Sequence, residues 1–324
     1  MQAVLVYEGG RLAYEATPDP EPGPGEVMVE LQAAAVNRRD LLVRDPPGPA
    51  YDFVLPLVPG SDGAGIRRDT GEEVVIYPGL GWGEDENAAG PEWRILGGPD
   101  NGTYAELVKV PEENVFPKPR RLSWAEAAAL PLCGVTAHRA LFRVGALKAD
   151  ETVLVLGAGS GVSTLAVQLA AQAGARIFVT SSSPEKIERA RELGADGGVI
   201  YTEDDWPAAV RELAGGGVDL VVDSVGSTWR ESLRALRRGG RLVVFGATAA
   251  PAVELDVRFV YLNWVSILGT TMGSSRDFAA LLEKAEHGDW APVVDSVRPV
   301  ADAASAHDRM KACEHFGKLV LEVA

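Results

Sequence analysis

The stretch Val153-Leu154-Val155-Leu156-Gly157-Ala158-Gly159-Ser160-Gly161-Val162-Ser163 decides the architecture of this chain. An uninterrupted apolar run enters a glycine-rich turn, and Thr164 to Ala173 then reads as helix. Such a strand, turn and helix start can hold backbone N–H groups and a helix N-terminus against a pyrophosphate. A strict GxGxxG begun at Gly157 puts Val162 in its third place, and Ser163 falls where glycine usually packs helix on strand. Context makes up for the imperfect motif. Arg176–Thr180 reads as a second strand, and Ser183-Pro184-Glu185 opens a helix with serine as N-cap and proline as first helical residue. Further strands are expected at Gly198–Tyr201, Val218–Val222, Arg241–Phe245 and Val265–Gly269. Strand–helix alternation of this kind predicts an α/β doubly wound parallel sheet. Gly157, Gly159, Ser160, Gly161 and Val162 then form its dinucleotide cradle.

The end of the second strand bears on the identity of the dinucleotide. A carboxylate there hydrogen-bonds both ribose hydroxyls of NAD(H) and repels a 2′-phosphate. Here the residues are Thr180-Ser181-Ser182-Ser183, followed by Lys186. Hydroxyls and an N-cap donate to a phosphate and the lysine adds positive charge, so NADP(H) is the expected cofactor, held by Ser181, Ser182, Ser183 and Lys186. A well-capped surface helix with an ordinary exposed lysine is the plainer reading of the same residues.

The residues before Ser123 follow a different grammar. Met1–Tyr7, Val27–Leu31, Glu73–Tyr77 and Tyr104–Val108 read as short strands, separated by Pro/Gly segments such as Pro18–Gly25 and a long loop from Gly79 to Gly102. Ser123-Trp124-Ala125-Glu126 is a capping box and starts a helix. Phe278–Glu286 reads as helix and Gly317–Val323 as a closing strand.

With 324 residues the chain has room for two cores. A net charge of −15 repels nucleic acid and anionic lipid, so neither is an expected partner. Two distant cysteines, Cys133 and Cys313, allow neither a disulfide framework nor a cysteine-rich zinc site. The N-terminus has no basic n-region and no apolar run approaches a membrane span, so the expected location is cytoplasmic.

Together these residues resemble the medium-chain dehydrogenase/reductase superfamily, most closely its zinc-free branch of quinone oxidoreductase-like proteins, often labelled zinc-type alcohol dehydrogenase-like. The resemblance spans the chain and is carried by Pro22–Val27, Asn37-Arg38-Arg39-Asp40, Pro59–Gly65 and Asp100–Glu106, in that order. Ala128–Pro131, the glycine turn, Val222–Gly226 and Gly317-Lys318 continue it. It implies a β-rich GroES-like catalytic domain over 1–122, completed by 272–324, with a Rossmann domain inserted over 123–271. By the same resemblance Ser181 stands where NAD-using relatives keep an aspartate, and Lys186 and Tyr201 flank the adenosine phosphate. Thr136, Phe245-Gly246 and Leu268-Gly269 lie near the nicotinamide, and Lys318 faces the cofactor from the tail.

Zinc-dependent relatives hold their catalytic metal with a cysteine in the first αβ corner, a His-Glu pair after a glycine, and a later cysteine. The corresponding segments here read Asn37-Arg38-Arg39-Asp40, Gly60-Ser61-Asp62 and Leu132-Cys133-Gly134. One thiol with a serine and an asparagine does not make zinc's tetrahedron, so no metal is expected. The loop Gly81–Asn87 aligns with a four-cysteine lobe but holds no cysteine, and its acids read as a solvated face. The four histidines show no ligand spacing, and Cys133 reads most simply as a small buried hydrophobe.

Without a metal to polarise a simple ketone, a conjugated acceptor is the easier hydride target, because its charge spreads over an enolate or hydroquinone. The expected activity is therefore an NADPH-dependent reduction of quinones or α,β-unsaturated carbonyls. Asn37, Tyr51 and Ser61 are the candidate catalytic residues, with Asn37 first as an orienting amide; Arg38 and Asp40 are further candidates. An alcohol or aldehyde dehydrogenase and a non-catalytic NADPH-binding sensor remain alternatives. The apolar run Val260–Leu268 suits edge-to-edge pairing of strands, and the resemblance implies a homodimer or homotetramer.

Overall fold

The chain opens with a hairpin in which β1 (Gln2–Tyr7) pairs antiparallel with β2 (Arg11–Ala16). The computed structural model describes residues 1–51 and 53–323. In β3 (Glu26–Ala35) Val27, Val29 and Leu31 are buried while Glu30 is exposed, the period-two pattern of a strand with one covered face. A short α1 (Arg38–Arg44) follows, then β4 (Asp62–Arg67), β5 (Glu73–Ile76), β6 (Gly79–Leu80) and β7 (Arg94–Ile95). The segment expected as an irregular loop from Gly79 to Gly102 is thus tied by the β6–β7 pair, and Trp82 and Trp93 meet edge to face at 6.0 Å within it. Next come β8 (Leu107–Pro111), β9 (Val115–Pro117), α2 (Trp124–Ala129) and α3 (Pro131–His138). The Ser123 capping box forms as the sequence predicts, and β8 starts later than expected, beyond Tyr104.

From Thr152 the alternation becomes regular. The elements are β10 (Thr152–Val155), α4 (Gly161–Gln172), β11 (Arg176–Ser181), α5 (Pro184–Glu192) and β12 (Gly197–Ile200). They continue with α6 (Trp206–Ala214), β13 (Val218–Asp223), α7 (Trp229–Ala235), β14 (Leu236–Val244), α8 (Val257–Leu262) and β15 (Ser266–Gly269). All pairs are parallel, in the order β12-β11-β10-β13-β14-β15. That is the doubly wound order, with the switch point beside β10. One expectation fails here: Val260–Leu268 is not a continuous strand. Its first residues belong to α8, and only β15 remains as an edge. The helix packs Phe259 and Val260 against the core but leaves Val257, Tyr261 and Leu262 exposed.

The chain then returns to the first sheet through α9 (Ser275–His287), β16 (Val294–Pro299), α10 (Ala303–Lys311) and β17 (Lys318–Glu322). That sheet runs β16-β17-β3-β4-β5-β9, with β8 also on β3. β17 runs antiparallel to β3, Val320 opposite Ala35. The two units are therefore Met1–Val135 with Ser274–Ala324, and Thr136–Gly273. The expected first boundary at 122/123 is corrected to 135/136, because α2 packs on β3, β4 and β17 and so belongs with the first sheet. The expected return at 272 lies two residues from Ser274. Among the described residues no helix is long and apolar enough to cross a membrane.

Phe278 of the returning α9 is fully buried, its ring 5.5 Å from Tyr77 and 5.1 Å from Phe116. Phe278→Ala removes that contact between early and late chain. It should lower the unfolding free energy by about 3–5 kcal/mol in urea titration.

Candidate functional site

Two polar arrangements stand out, one in each unit. In the second unit, Ser160 is the N-cap of α4: its Oγ accepts from Ser163 N–H at 3.1 Å. The N–H groups of Gly161 and Val162 have no acceptor among the described residues, as the first turn of a helix requires. Ser163 points away from them, donating its hydroxyl to the Leu156 carbonyl at 2.8 Å, so the odd residue of the glycine turn ties helix to strand. Gly157 N–H donates to Thr180 Oγ1 at 3.2 Å and locks the turn onto β11. Buried Asp223 shapes the loop after β13, accepting from Val225 N–H at 2.6 Å, Thr228 Oγ1 at 2.8 Å and Ser232 Oγ at 3.0 Å.

Gly157, Gly159, Ser181, Tyr201, Phe245, Gly246, Leu268 and Gly269 all lie at or just beyond the carboxyl ends of these parallel strands, the edge at which doubly wound sheets bind ligands. Thr136 is buried in α3. Free helix N–H groups and a hydroxyl-lined strand end suit a dinucleotide pyrophosphate. The serines are partly committed: Ser181 Oγ accepts from Ser183 N–H at 3.1 Å, and Ser183 Oγ donates to Glu185 Oε2 at 2.5 Å. That carboxylate, expected only as part of the helix start, lies four residues past Ser181.

In the first unit the three segments singled out for their metal-ligand positions do converge, but around an ammonium. Lys318 Nζ donates to Asn37 Oδ1 at 2.6 Å, to Asp62 Oδ2 at 2.9 Å and to Cys133 Sγ at 3.5 Å. Asn37 Nδ2 donates to Asp62 Oδ2 at 2.9 Å and to the Ala35 carbonyl at 3.4 Å, while Asp62 Oδ1 accepts from Leu132 N–H at 2.8 Å. All four side chains are buried. Two glycines aim the ion pair. Gly60 (φ +96°) lies so close to Tyr104 and Thr103 that a Cβ would clash, and Gly317 (φ +98°) lies as close to Val293. Burial works against the charge of Lys318, but the adjacent Asp62 and Cys133 outweigh it and hold its pKa at about 12. Burial pushes the Cys133 thiol up, with Lys318 opposing.

This geometry corrects three expectations. Lys318 gives its three hydrogens to the cluster and has none left for a cofactor. Both amide hydrogens of Asn37 are likewise used inside the protein, so it is not a free donor to substrate. Ser61 Oγ accepts from Arg39 Nη1 at 2.8 Å and donates to the Leu96 carbonyl at 2.8 Å. Tyr51 is half-buried, its ring 6.2 Å from Phe53, and its hydroxyl makes no hydrogen bond among the described residues. Cys133 is buried as expected but sits among polar groups rather than apolar ones.

The donor set does not fit catalytic zinc. Zinc needs three or four neutral or anionic N, S or O ligands. Here a charged ammonium lies within hydrogen-bond reach of the asparagine, the carboxylate and the thiol at those positions. Among the described residues no three His, Cys, Asp or Glu side chains come together as a ligand group.

A second polar chain leaves the same corner and could not be read from spacing. Asp40 Oδ2 accepts from Asn37 N–H at 2.8 Å and from Tyr104 OH at 2.9 Å, and that hydroxyl lies 3.4 Å from His307 Nε2. Asp40 Oδ1 is buried without a partner among the described residues. Burial pushes the Asp40 carboxyl up to about 6 and holds His307 down at about 4, so this imidazole is neutral at physiological pH.

Comparison with known proteins agrees with the two-unit layout. Residues 23–120 match the family model "Alcohol dehydrogenase GroES-like domain" and residues 161–287 match "Zinc-binding dehydrogenase". The chain is 32% identical to a zinc-type alcohol dehydrogenase-like protein, YogA, of Leptosphaeria maculans, over 98% of this chain and 97% of that protein. It is 29% identical to a quinone oxidoreductase of Mus musculus, over 99% of this chain and 97% of that one. A crystal structure of an NAD-dependent alcohol dehydrogenase superposes with a TM-score of 0.94 at 40% identity, covering 100% of both chains.

Asp40 gives the site a measurable pH signature. Its folded-state pKa of about 6 lies above the ordinary aspartate value, so its contribution favours the fold at acid pH and is lost as pH rises through about 6. Asp40→Asn keeps an acceptor for Asn37 and Tyr104 without the charge. Relative to wild type, the variant should gain on the order of 2 kcal/mol in urea-unfolding free energy between pH 4 and pH 7. A difference independent of pH would show that Asp40 titrates normally.

Proposed function

Because the chain belongs to the medium-chain dehydrogenase/reductase superfamily, we propose that it is a metal-independent, NADP(H)-dependent reductase of quinones or α,β-unsaturated carbonyls. The observation that carries this reading is the Lys318 ammonium bonded to Asn37, Asp62 and Cys133. A divalent cation would have to displace a buried charge that already neutralises Asp62. A ketone or alcohol then lacks the Lewis acid that polarises it, whereas a conjugated acceptor delocalises the incoming charge by itself.

A nicotinamide dinucleotide, when bound, supplies the hydride. This chain's part is to hold and orient: the N–H groups of Gly161 and Val162 take pyrophosphate oxygens, and the β11 serines with Lys186 surround the adenosine ribose. The absence of an acid at Ser181 favours the 2′-phosphate, and the Tyr51 hydroxyl, without a partner among the described residues, can donate.

A second reading, an NAD-dependent alcohol dehydrogenase, draws on the 40%-identical structure of that name and on the Glu185 carboxylate beside Ser183. Purified protein should oxidise NADPH with quinones or enones, unchanged by a chelator, and contain no stoichiometric zinc. Bound zinc with alcohol-dependent reduction of NAD⁺ would replace the first reading by the second. Tight NADPH binding without any turnover would leave a sensor.

The exposed Tyr261, Leu262 and Trp264 beside edge strand β15 support a homodimer or homotetramer in which β15 is covered by a second copy. Sedimentation should give a dimer or tetramer mass, and Leu262→Arg should shift it towards the monomer.

A further inference from the structure

The Lys318 charge is used up inside its cluster, whereas that of Arg39 is not. Arg39 is the second residue of α1, and its guanidinium is fixed from two directions. Nη1 donates to Ser61 Oγ at 2.8 Å and to the Leu96 carbonyl at 2.9 Å, and Nη2 donates to the Gly98 carbonyl at 3.1 Å. All three acceptors are neutral. A guanidinium carries five N–H groups. Its Nε–H and one Nη2–H therefore have no acceptor among the described residues, and no carboxylate there lies within ion-pair distance. The carboxylates whose charge it feels are Asp40 and Asp62. Of these, Asp62 is paired with Lys318, and Asp40 is bonded by Tyr104 and the Asn37 N–H.

A purely structural arginine would be expected to exhaust its donors or meet an acid, because desolvating a cation without a counter-charge is costly. Burial already pulls its pKa down. We propose that Arg39 is a catalytic residue: its two unused N–H groups receive the oxygen of the quinone or enone and stabilise the negative charge that develops there. This rests on the proposed reductase reading and names the electrophile that reading lacks. When hydride adds to the acceptor, an electron pair moves onto that oxygen. Arg39 hydrogen-bonds the oxyanion without giving up its proton, and the proton that completes the reduction comes from solvent. Its anchors hold the guanidinium in position beforehand, so little reorganisation is needed as charge appears. Half-buried Tyr51, its hydroxyl without a partner among the described residues, is the neighbouring donor for the same oxygen.

The probe is 4-nitrophenol, whose phenolate mimics such an oxyanion and absorbs in the visible. Wild-type protein with NADP⁺ should bind it as the phenolate at a pH where free 4-nitrophenol is mostly neutral. Arg39→Gln should bind it in the neutral form. The same variant should lose roughly 10²–10³-fold in kcat/KM for quinones or enones. Its affinity for the dinucleotide should stay within about two-fold, as expected for a transition-state interaction. Because Arg39 also ties Ser61 to Leu96 and Gly98, Arg39→Ala is the second variant: added guanidinium should restore its phenolate band and part of its rate, and methylammonium should not. Wild-type uptake of neutral nitrophenol only, or a glutamine variant that keeps both band and rate, would overturn the proposal. An Arg39-dependent phenolate band in a protein that reduces neither quinones nor enones would sink the reductase reading but leave the oxyanion site standing.

Discussion

The ion pair between Lys318 and Asp62, 2.9 Å apart with both side chains essentially inaccessible, is the constraint around which the first unit is organised. It joins β17 to the start of β4, and through Asn37 and Leu132 it also fixes the corner before α1 and the first turn of α3. A buried pair of this kind gives little net stability over an apolar replacement, yet losing one partner alone costs about 3–5 kcal/mol because the other charge is stranded. Its value here is positional. It makes four segments distant in sequence meet at one point, with the two positive-φ glycines setting the approach.

The pair also changes the chemistry. A cation sits where zinc-dependent relatives of the superfamily keep a metal, but an ammonium with its three hydrogens engaged cannot bind a substrate oxygen as an open metal site does. Electrophilic work then falls to the guanidinium two residues after Asn37, whose neutral anchors leave part of its donor capacity unused. Separating the two tasks, one cation for structure and one for the reacting oxygen, is a different solution from a single ion doing both.

The cofactor unit was the most legible part of the chain. The apolar run to Leu156, the Ser183-Pro184 helix start and the strand spacing are local signals, and the structure follows them to within a residue or two except at β14, which begins five residues before Arg241. The first unit was less so. Its domain limit at Val135 depends on α2 packing against β3, β4, β16 and β17, which no local pattern reveals. Asn37, Ser61 and Cys133 were found by position, but their roles turned on Lys318, more than half the chain away, and on whether each hydrogen was already taken. The start of the Val260–Leu268 run misled because apolar residues on both faces of a short helix, Val260 on the core and Tyr261 and Leu262 exposed, look like a strand. Glu185 is legible as part of the Ser183-Pro184-Glu185 helix start, but its bond from the Ser183 hydroxyl is a side-chain contact that spacing does not reveal.

The connectivity has a consequence for how the protein is made. Asn37, Asp62 and Cys133 leave the ribosome before any of the cofactor unit, and Lys318 only after all of it. Domains tend to fold as units during synthesis, so the parallel sheet can form while the first sheet still lacks β17 and Asp62 still lacks its counter-charge. The arrival of one lysine completes a sheet and neutralises a carboxylate in the same event. Until then the first sheet lacks β16 and β17, and Asp62 is a carboxylate whose burial has no compensating charge.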